Sequence, residues 1–255
     1  MDVSIVIPAF GREDKIPPLL KSISDTCGEI DYEVILVDGS LNNRIRNHFS
    51  KAGSRFRYIE NPNDRGPAHA RRVGISLATG RYIAFLDTDD FFLNNKLEKQ
   101  LAFMDENSLS FTYTSYEVFF PRSNRVFIRH PLKYFNYFRA LLTRGIALST
   151  VMIKNTKEWQ DITRNIVSRG EDYYWWLLYL RGGKTRRAIL CPVVGSRIVM
   201  SQDSLSNDRL FHHSEILKYY KELTNSFSLG LMAFLCYFVY AGSFKIKASV
   251  LARKK

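Results

Sequence analysis

Three short apolar runs, each ending in a proline or an acid, constrain the fold more than any other feature of this sequence. Val3 to Pro8 (V-S-I-V-I-P), Tyr32 to Val37 (Y-E-V-I-L-V) and Tyr82 to Leu86 (Y-I-A-F-L) read as buried strands. The first ends at Pro8, the second runs into Asp38-Gly39-Ser40, and the third into Asp87-Thr88-Asp89-Asp90. Lys15 to Ser24 sets Ile16, Leu19, Leu20 and Ile23 at helical spacing, and Ala68 to Leu77 reads as a helix closed by Gly80. Arg57 to Glu60 is a further short strand. Strands alternating with helices predict an α/β fold with a mainly parallel central sheet flanked by helices. Ligands of such sheets bind beyond the carboxyl ends of the strands. Pro8, Asp38 and the acids from Asp87 to Asp90 are therefore expected along one edge. For Asp38 a plain turn or capping role stays open beside a binding one.

The second half is less regular. Phe111 to Phe120 and Arg125 to Arg129 read as antiparallel strands, and Tyr134 to Arg144 as a helix or an irregular connection. A strand follows around Ala147 to Ile153, then an aromatic-rich helix from Asp172 to Leu180. No internal repeat or low-complexity linker interrupts the 255 residues, which predicts one domain with a C-terminal appendage.

The D-x-D-D segment supplies three carboxylates within four residues. Acids this close repel one another, and a hard divalent cation bridging them to phosphate oxygens relieves the repulsion. The competing reading is a helix N-terminus decorated with acids that its dipole favours.

The order of several segments decides between these readings. V-S-I-V-I-P-A-F-G-R at 3 to 12 resembles the opening of the family 2 glycosyltransferases, inverting enzymes with the nucleotide-diphospho-sugar transferase (GT-A) fold. In the same order follow L-V-D-G-S at 36 to 40, the stretch from Ala68 to Gly80, Y-I-A-F-L-D-T-D-D at 82 to 90, and G-E-D at 170 to 172. The resemblance covers roughly Asp2 to Ser206. It implies a glycosyltransferase domain over 1–206, with a nucleotide-sugar-binding half (1–110) and an acceptor-binding half (111–206), followed by a helical extension with a basic tail (207–255).

Residue by residue, the resemblance implies that Pro8, Ala9 and Phe10 line the nucleoside pocket and that Asp38 contacts the base. It sets Arg71 near the nucleotide and its phosphates, and gives Asp87, Asp89 and Asp90 the metal, Mn²⁺ or Mg²⁺. Asp172 matches the catalytic base, with Glu171 beside it. Arg197, in a looser match, closes over the donor. Val37 stands where the family usually has a first acid, Gly11 where asparagine is common, and Arg72 where asparagine often follows; these departures bear on donor identity. A UDP-sugar is the expected donor because Asp38 suits a uracil imide N–H.

Inverting sugar transfer needs a base for the acceptor hydroxyl and charge stabilisation at the leaving diphosphate. Glu171 and Asp172 also read as ordinary first-turn acids. Trp175 and Trp176 lie one turn from Asp172, where either a sugar-stacking platform or core packing would employ them. His69 and His130 have no partners at metal-ligand spacing, so structural roles are expected.

The net charge of +12 gathers in clusters, one at Lys245, Lys247, Arg253, Lys254 and Lys255. Ahead of it, residues 223–244 carry no charge, which predicts an apolar helix. Three settings are open for it: packed on the domain, spanning a bilayer, or lying in the interface with its basic end on anionic lipid. The resemblance implies a saccharide acceptor, lipid-linked, in bacterial surface polysaccharide assembly (lipopolysaccharide, O-antigen or capsule). The expected location is cytoplasmic, peripheral on the inner face of the cell membrane. Three cysteines without a C-x-x-C argue for reduced thiols in that compartment.

Two other classes fit less well. A sugar-phosphate nucleotidyltransferase wants a glycine-rich loop after the first strand, and Pro8 to Arg12 is poor in glycine. A nucleic-acid-binding module would have to bring a phosphate backbone up to the acids at the strand ends, and no recognition motif is present; no nucleic-acid partner is expected.

Overall fold

The computed structural model describes residues 1–200 except 42, 65, 94, 144 and 165–169, together with 217–223, 230–232 and 235. The chain begins β1 (Val3–Ala9), α1 (Ile16–Thr26), β2 (Tyr32–Asp38), α2 (Asn43–Lys51), β3 (Phe56–Glu60), α3 (Pro67–Leu77) and β4 (Tyr82–Phe85). It continues with β5 (Phe91–Phe92), α4 (Lys96–Glu106), the hairpin of β6 (Phe111–Phe120) and β7 (Arg125–Arg129), β8 (Tyr134–Phe135) and α5 (Tyr137–Thr143). Then come β9 (Met152–Lys154), α6 (Lys157–Ile162), α7 (Glu171–Arg181) and β10 (Ala188–Val199).

The ten strands among the described residues join one sheet in the order β3-β2-β1-β4-β9-β6-β10-β5, with β7 on β6 and β8 on β10. The first four strands pair in parallel as expected. The expectation of a mainly parallel sheet is corrected beyond β4. There β9 runs antiparallel to both β4 and β6, and β5, β7 and β8 also pair antiparallel. The reason lies in the connections, because a parallel neighbour needs a long crossover. After Phe120 the chain returns through a tight turn at Pro121–Ser123, and the segment read as a strand from Ala147 spends Leu148–Thr150 in a 3-10 turn before β9.

β1, β2 and β4 are apolar over most of their length because both sheet faces are covered, with Ser4 and Glu33 the buried polar exceptions at their starts. Val3, Ile5 and Ile7 face a cluster with Ile16, Leu19 and Ile23 of α1, while Val6 faces the opposite cluster with Ile83 and Phe85. Helix α3 lies so close to the sheet that a Cβ on Gly74 would sit 2.5 Å from Val6 Cγ1. Trp175 and Trp176 are fully buried on α7, with Trp176 stacked on Trp159 at 5.5 Å between ring centroids. The core reading therefore holds for both, and the sugar-platform reading is withdrawn.

The apolar run 223–244 lies, except for Leu223, 230–232 and 235, outside the described residues, as do the basic tail and Cys236. Residues 217–223 are helical and dock on the domain through buried Tyr219, Tyr220 and Leu223. Tyr220 Oη donates to the Leu141 carbonyl at 2.6 Å. Among the described residues no helix is long and apolar enough to cross a membrane.

At the edge opposite the acids, Glu33 of β2 staples the sheet to the turn after α3. Its carboxylate accepts from Ser4 Oγ at 2.7 Å, from Thr79 N and Oγ1 at 2.8 and 2.7 Å, and from Arg57 Nη1 at 2.8 Å. Burial opposes ionisation, but these donors outweigh it and hold the carboxyl below its ordinary range. A carboxyl whose pKa is depressed by folding contributes stability above its unfolded pKa and loses it as pH falls through the folded one. Glu33→Ala is expected to cost about 2–3 kcal/mol at neutral pH by stranding these donors. Thermal unfolding should show the deficit shrinking once the pH is below the ordinary carboxylate range.

Candidate active site

The carboxyl ends of β1, β2 and β4 lie side by side, as their parallel registers require. Ala9 is paired with Asp38, and Asp87 follows two residues after β4. Beyond β1 the chain turns through Gly11 and Arg12, both at positive φ (66° and 60°). That turn leaves Phe10 exposed at the edge and aims Arg12 Nη1 at Asp89 Oδ2, 2.9 Å away. Pro8 and Ala9 are buried strand residues.

Asp38 is fully buried. One oxygen accepts from Ser40 N and Oγ at 2.8 and 2.6 Å, and the other from Tyr58 Oη at 2.8 Å. Its carboxylate is thus used in fixing the loop after β2, the turn role left open by the sequence.

Arg71 on α3 is the centre of the site. It is 7% exposed, and it reaches Asp87 Oδ1 with Nη2 at 2.6 Å and Glu171 Oε1 with Nη1. Burial works against its charge, but Asp87, Glu171 and Asp172 more than compensate and raise its pKa. One guanidinium thereby joins the acids after β4 to the first turn of α7, whose Glu171 lies a hundred residues beyond Arg71 in the chain. Glu171 is buried, and desolvation pushes its carboxyl up against the opposing pull of Arg71. Asp172 is only partly buried and stands on the same first turn.

The D-x-D-D carboxylates diverge. Asp87 pairs with Arg71 and Asp89 with Arg12. Asp90 turns inward, accepting from Ser149 Oγ at 2.5 Å and from Val199 N at 3.1 Å. Burial first, then the neighbouring charge of Asp87, raises the pKa of both Asp89 and Asp90, the latter strongly. The helix-cap alternative fails here, because Phe91–Phe92 is a strand and α4 begins only at Lys96.

Among the described residues no three His, Cys, Asp or Glu side chains converge on one metal position. The donor set nonetheless suits a hard cation shared with a diphosphate, since Mg²⁺ is commonly held by one or two carboxylates with phosphates and water completing its shell. The arginine pairs use one oxygen each of Asp87 and Asp89, leaving the second for a cation. Burial first, and then the charge of Asp87, holds the carboxyls of Asp89 and Asp90 up, and a cation among the three acids would offset the second of these effects.

Arg197 on β10 is tied to Glu117 Oε2 by Nε at 2.7 Å and lies over the Phe119 ring. It stands two residues from Val199, whose N–H holds Asp90, so β10 flanks the site. His69 sits against Asn61 and His130 against Ser115, structural settings as expected. Sequence reading did not single out Arg12, Ser149 or Tyr58. Arg12 carried a signal in the glycine before it; Ser149 and Tyr58 sat within apparent strands and carried none.

The chain is also similar to known proteins. Residues 4–157 match the family model described as Glycosyl transferase family 2. An Escherichia coli protein, UDP-Glc:alpha-D-GlcNAc-diphosphoundecaprenol beta-1,3-glucosyltransferase WfgD, is 33% identical over 208 residues, 81% of this chain and 80% of the relative. A second from Escherichia coli, WfaP, named for the same reaction, is 32% identical over 247 residues, 94% and 92% of the two chains. Among solved structures, S. aureus TarS 1-349 in complex with UDP-GlcNAc superposes with a TM-score of 0.72 at 15% identity, covering 96% of this chain and 73% of that one. At that identity the likeness shows the fold alone.

Proposed function

Since this chain belongs to glycosyl transferase family 2 and is a glycosyltransferase, we propose that it moves a sugar, with inversion, from a UDP-sugar to a hydroxyl of a saccharide linked through diphosphate to a polyprenol, in the assembly of a bacterial surface polysaccharide. The observation that carries this reading is the Arg71 bridge, which unites the acids after β4 with the first turn of α7. It gives one point where a diphosphate and an acceptor hydroxyl can meet. The WfgD and WfaP names, with a UDP-linked donor and a diphosphoundecaprenol acceptor, support the substrate classes.

In this reading the uridine lies against Pro8 to Phe10 and the loop that Asp38 fixes. The diphosphate faces Asp87, Asp89 and Arg71. A bound Mn²⁺ or Mg²⁺ would supply charge neutralisation for the departing UDP. Asp172 takes the proton of the acceptor hydroxyl as that oxygen bonds the anomeric carbon and the bond to UDP breaks. Glu171, engaged with Arg71, positions the guanidinium rather than reacting. Arg197 and β10 close the donor side.

A thermal-shift panel of UDP-, GDP- and dTDP-sugars, each with Mn²⁺ and with EDTA, tests the donor. A ligand at a hundred times its Kd raises stability by about 2.7 kcal/mol. A manganese-dependent shift with UDP-sugars alone is the expected result, and Asp89→Asn should remove most of it. Equal shifts in EDTA would refute the metal. Transfer to a soluble hydroxyl in preference to a polyprenyl-diphosphate saccharide would refute the acceptor.

A further inference from the structure

The turn after β3 carries an acid, Asp64, that takes no part in the Arg71 bridge or among the acids after β4. β3 ends at Glu60, and the chain is then fastened to the end of β2. Asn61 N donates to the Asp38 carbonyl at 2.9 Å, and Asp64 N donates to the Asn61 carbonyl at 3.0 Å. This turn lays the Asp64 side chain over Gly39, where a Cβ would stand 2.4 Å from Asp64 Oδ2 and 2.5 Å from its Cγ. A side chain at 39 would push the carboxylate out of its place.

Asp64 is oriented as well as placed. Asn61 Nδ2 donates to Asp64 Oδ1 at 2.9 Å and lies 3.1 Å from His69 Nδ1. A carboxylate only accepts, so the amide must present its nitrogen here, and the second hydrogen of that nitrogen goes to His69. One oxygen of Asp64 is thereby engaged. Its Oδ2 has no hydrogen-bond partner among the described residues, and the side chain is 11% exposed. Asp38, by contrast, is 0% exposed.

The position gives the free oxygen its meaning. Ala9 and Asp38 are paired across β1 and β2, so Phe10 and Gly39 leave neighbouring points of the site edge. Phe10 is 70% exposed and offers an open aromatic face, on which any base can stack. The carboxylate over Gly39 supplies what stacking lacks, a sense of the base edge. It accepts from a ring N–H and is repelled by a ring nitrogen that carries a lone pair.

We infer that Asp64 reads the base of the donor, its Oδ2 accepting the N3–H of uracil, and that Asp64 rather than Asp38 makes the enzyme refuse cytosine, whose N3 is an acceptor. The inference rests on the uridine donor of the proposed function.

Calorimetric titration of the full chain with UDP, CDP and N3-methyl-UDP, each with Mn²⁺, tests it. The parent should bind UDP roughly tenfold or more tightly than either analogue. The methylated nucleotide probes the contact with no change to the protein. Asp64→Asn should bring the preference for UDP over CDP close to unity, because an amide can turn its N–H toward the cytosine N3. Asp64→Ala should weaken UDP by roughly tenfold and leave N3-methyl-UDP nearly unchanged. Asp38→Asn loosens the loop after β2, so UDP and CDP should weaken together and keep their ratio. A parent that binds CDP or N3-methyl-UDP as tightly as UDP overturns the inference. So does an unchanged ratio of UDP to CDP in both Asp64 variants, and loss of that ratio in Asp38→Asn alone would give the base to Asp38. A parent that binds GDP-sugars and no uridine nucleotide refutes the proposed donor and the inference with it, whereas a UDP-selective parent with indifferent Asp64 variants refutes the inference only.

Discussion

Asp172→Asn is expected to lower kcat by roughly 10²–10⁴-fold while leaving donor affinity near that of the parent, the usual contribution of a positioned general base. The choice between the two adjacent acids rests on their surroundings. Glu171 is 4% exposed, and its carboxylate is held by Arg71, so it cannot swing toward an incoming hydroxyl. Asp172 shares the first turn of α7 but is only partly buried. Asparagine keeps the shape and much of the hydrogen bonding while removing proton acceptance, so binding and chemistry separate cleanly. The measurement is kcat with saturating acceptor alongside the Kd for UDP-sugar. Undiminished turnover in Asp172→Asn would move the base elsewhere. Glu171→Gln should behave differently, losing stability together with activity because it weakens the bridge to Arg71.

How far the sequence disclosed this molecule depends on the range of the interactions involved. The strands from Val3, Tyr32 and Tyr82 were legible because both faces of a parallel sheet are covered and the apolar signal is continuous. α1 was legible through Ile16, Leu19 and Ile23; α2 was not read because it buries only Ile45 and Phe49 in nine residues, and α4 because its buried face includes the polar Lys96 and Gln100. The antiparallel half was partly legible. The β6–β7 hairpin could be read locally, whereas the insertion of β9 between β4 and β6 is a pairing across tens of residues that no local pattern encodes. The site divides in the same way. Its acids were visible as residue types at strand ends, but their partners were not. That Arg71 reaches Glu171 a hundred positions away, and that Ser149 restrains Asp90, follow only from the folded chain. Asp38 shows the converse, a residue conspicuous in the sequence whose carboxylate is engaged with Ser40 and Tyr58.

Arg71→Ala should be the most damaging single change in the site, because the residue neutralises two acids at once. Removing one partner of a buried ion pair costs about 3–5 kcal/mol, since the remaining charge stays desolvated. Here Glu171 would be left buried, facing the charges of Asp87 and Asp172 that already oppose its ionisation. For a domain of this size such a loss lowers Tm by about 10 °C. Arg71→Lys separates charge from geometry. An ammonium restores a positive charge but lacks the planar fork that spans two carboxylates, so most of the Tm should return while turnover stays low. Differential scanning fluorimetry and steady-state transfer on the two variants read these effects independently. If Arg71→Ala kept the parental Tm, the bridge would contribute nothing to the fold. If Arg71→Lys regained full activity, positive charge alone would suffice and the two-pronged contact would have no catalytic role. The expected split, stability rescued and chemistry not, follows from one guanidinium serving both as the electrostatic link between the loop after β4 and helix α7 and as the group that fixes where Asp87 and the first turn of α7 meet.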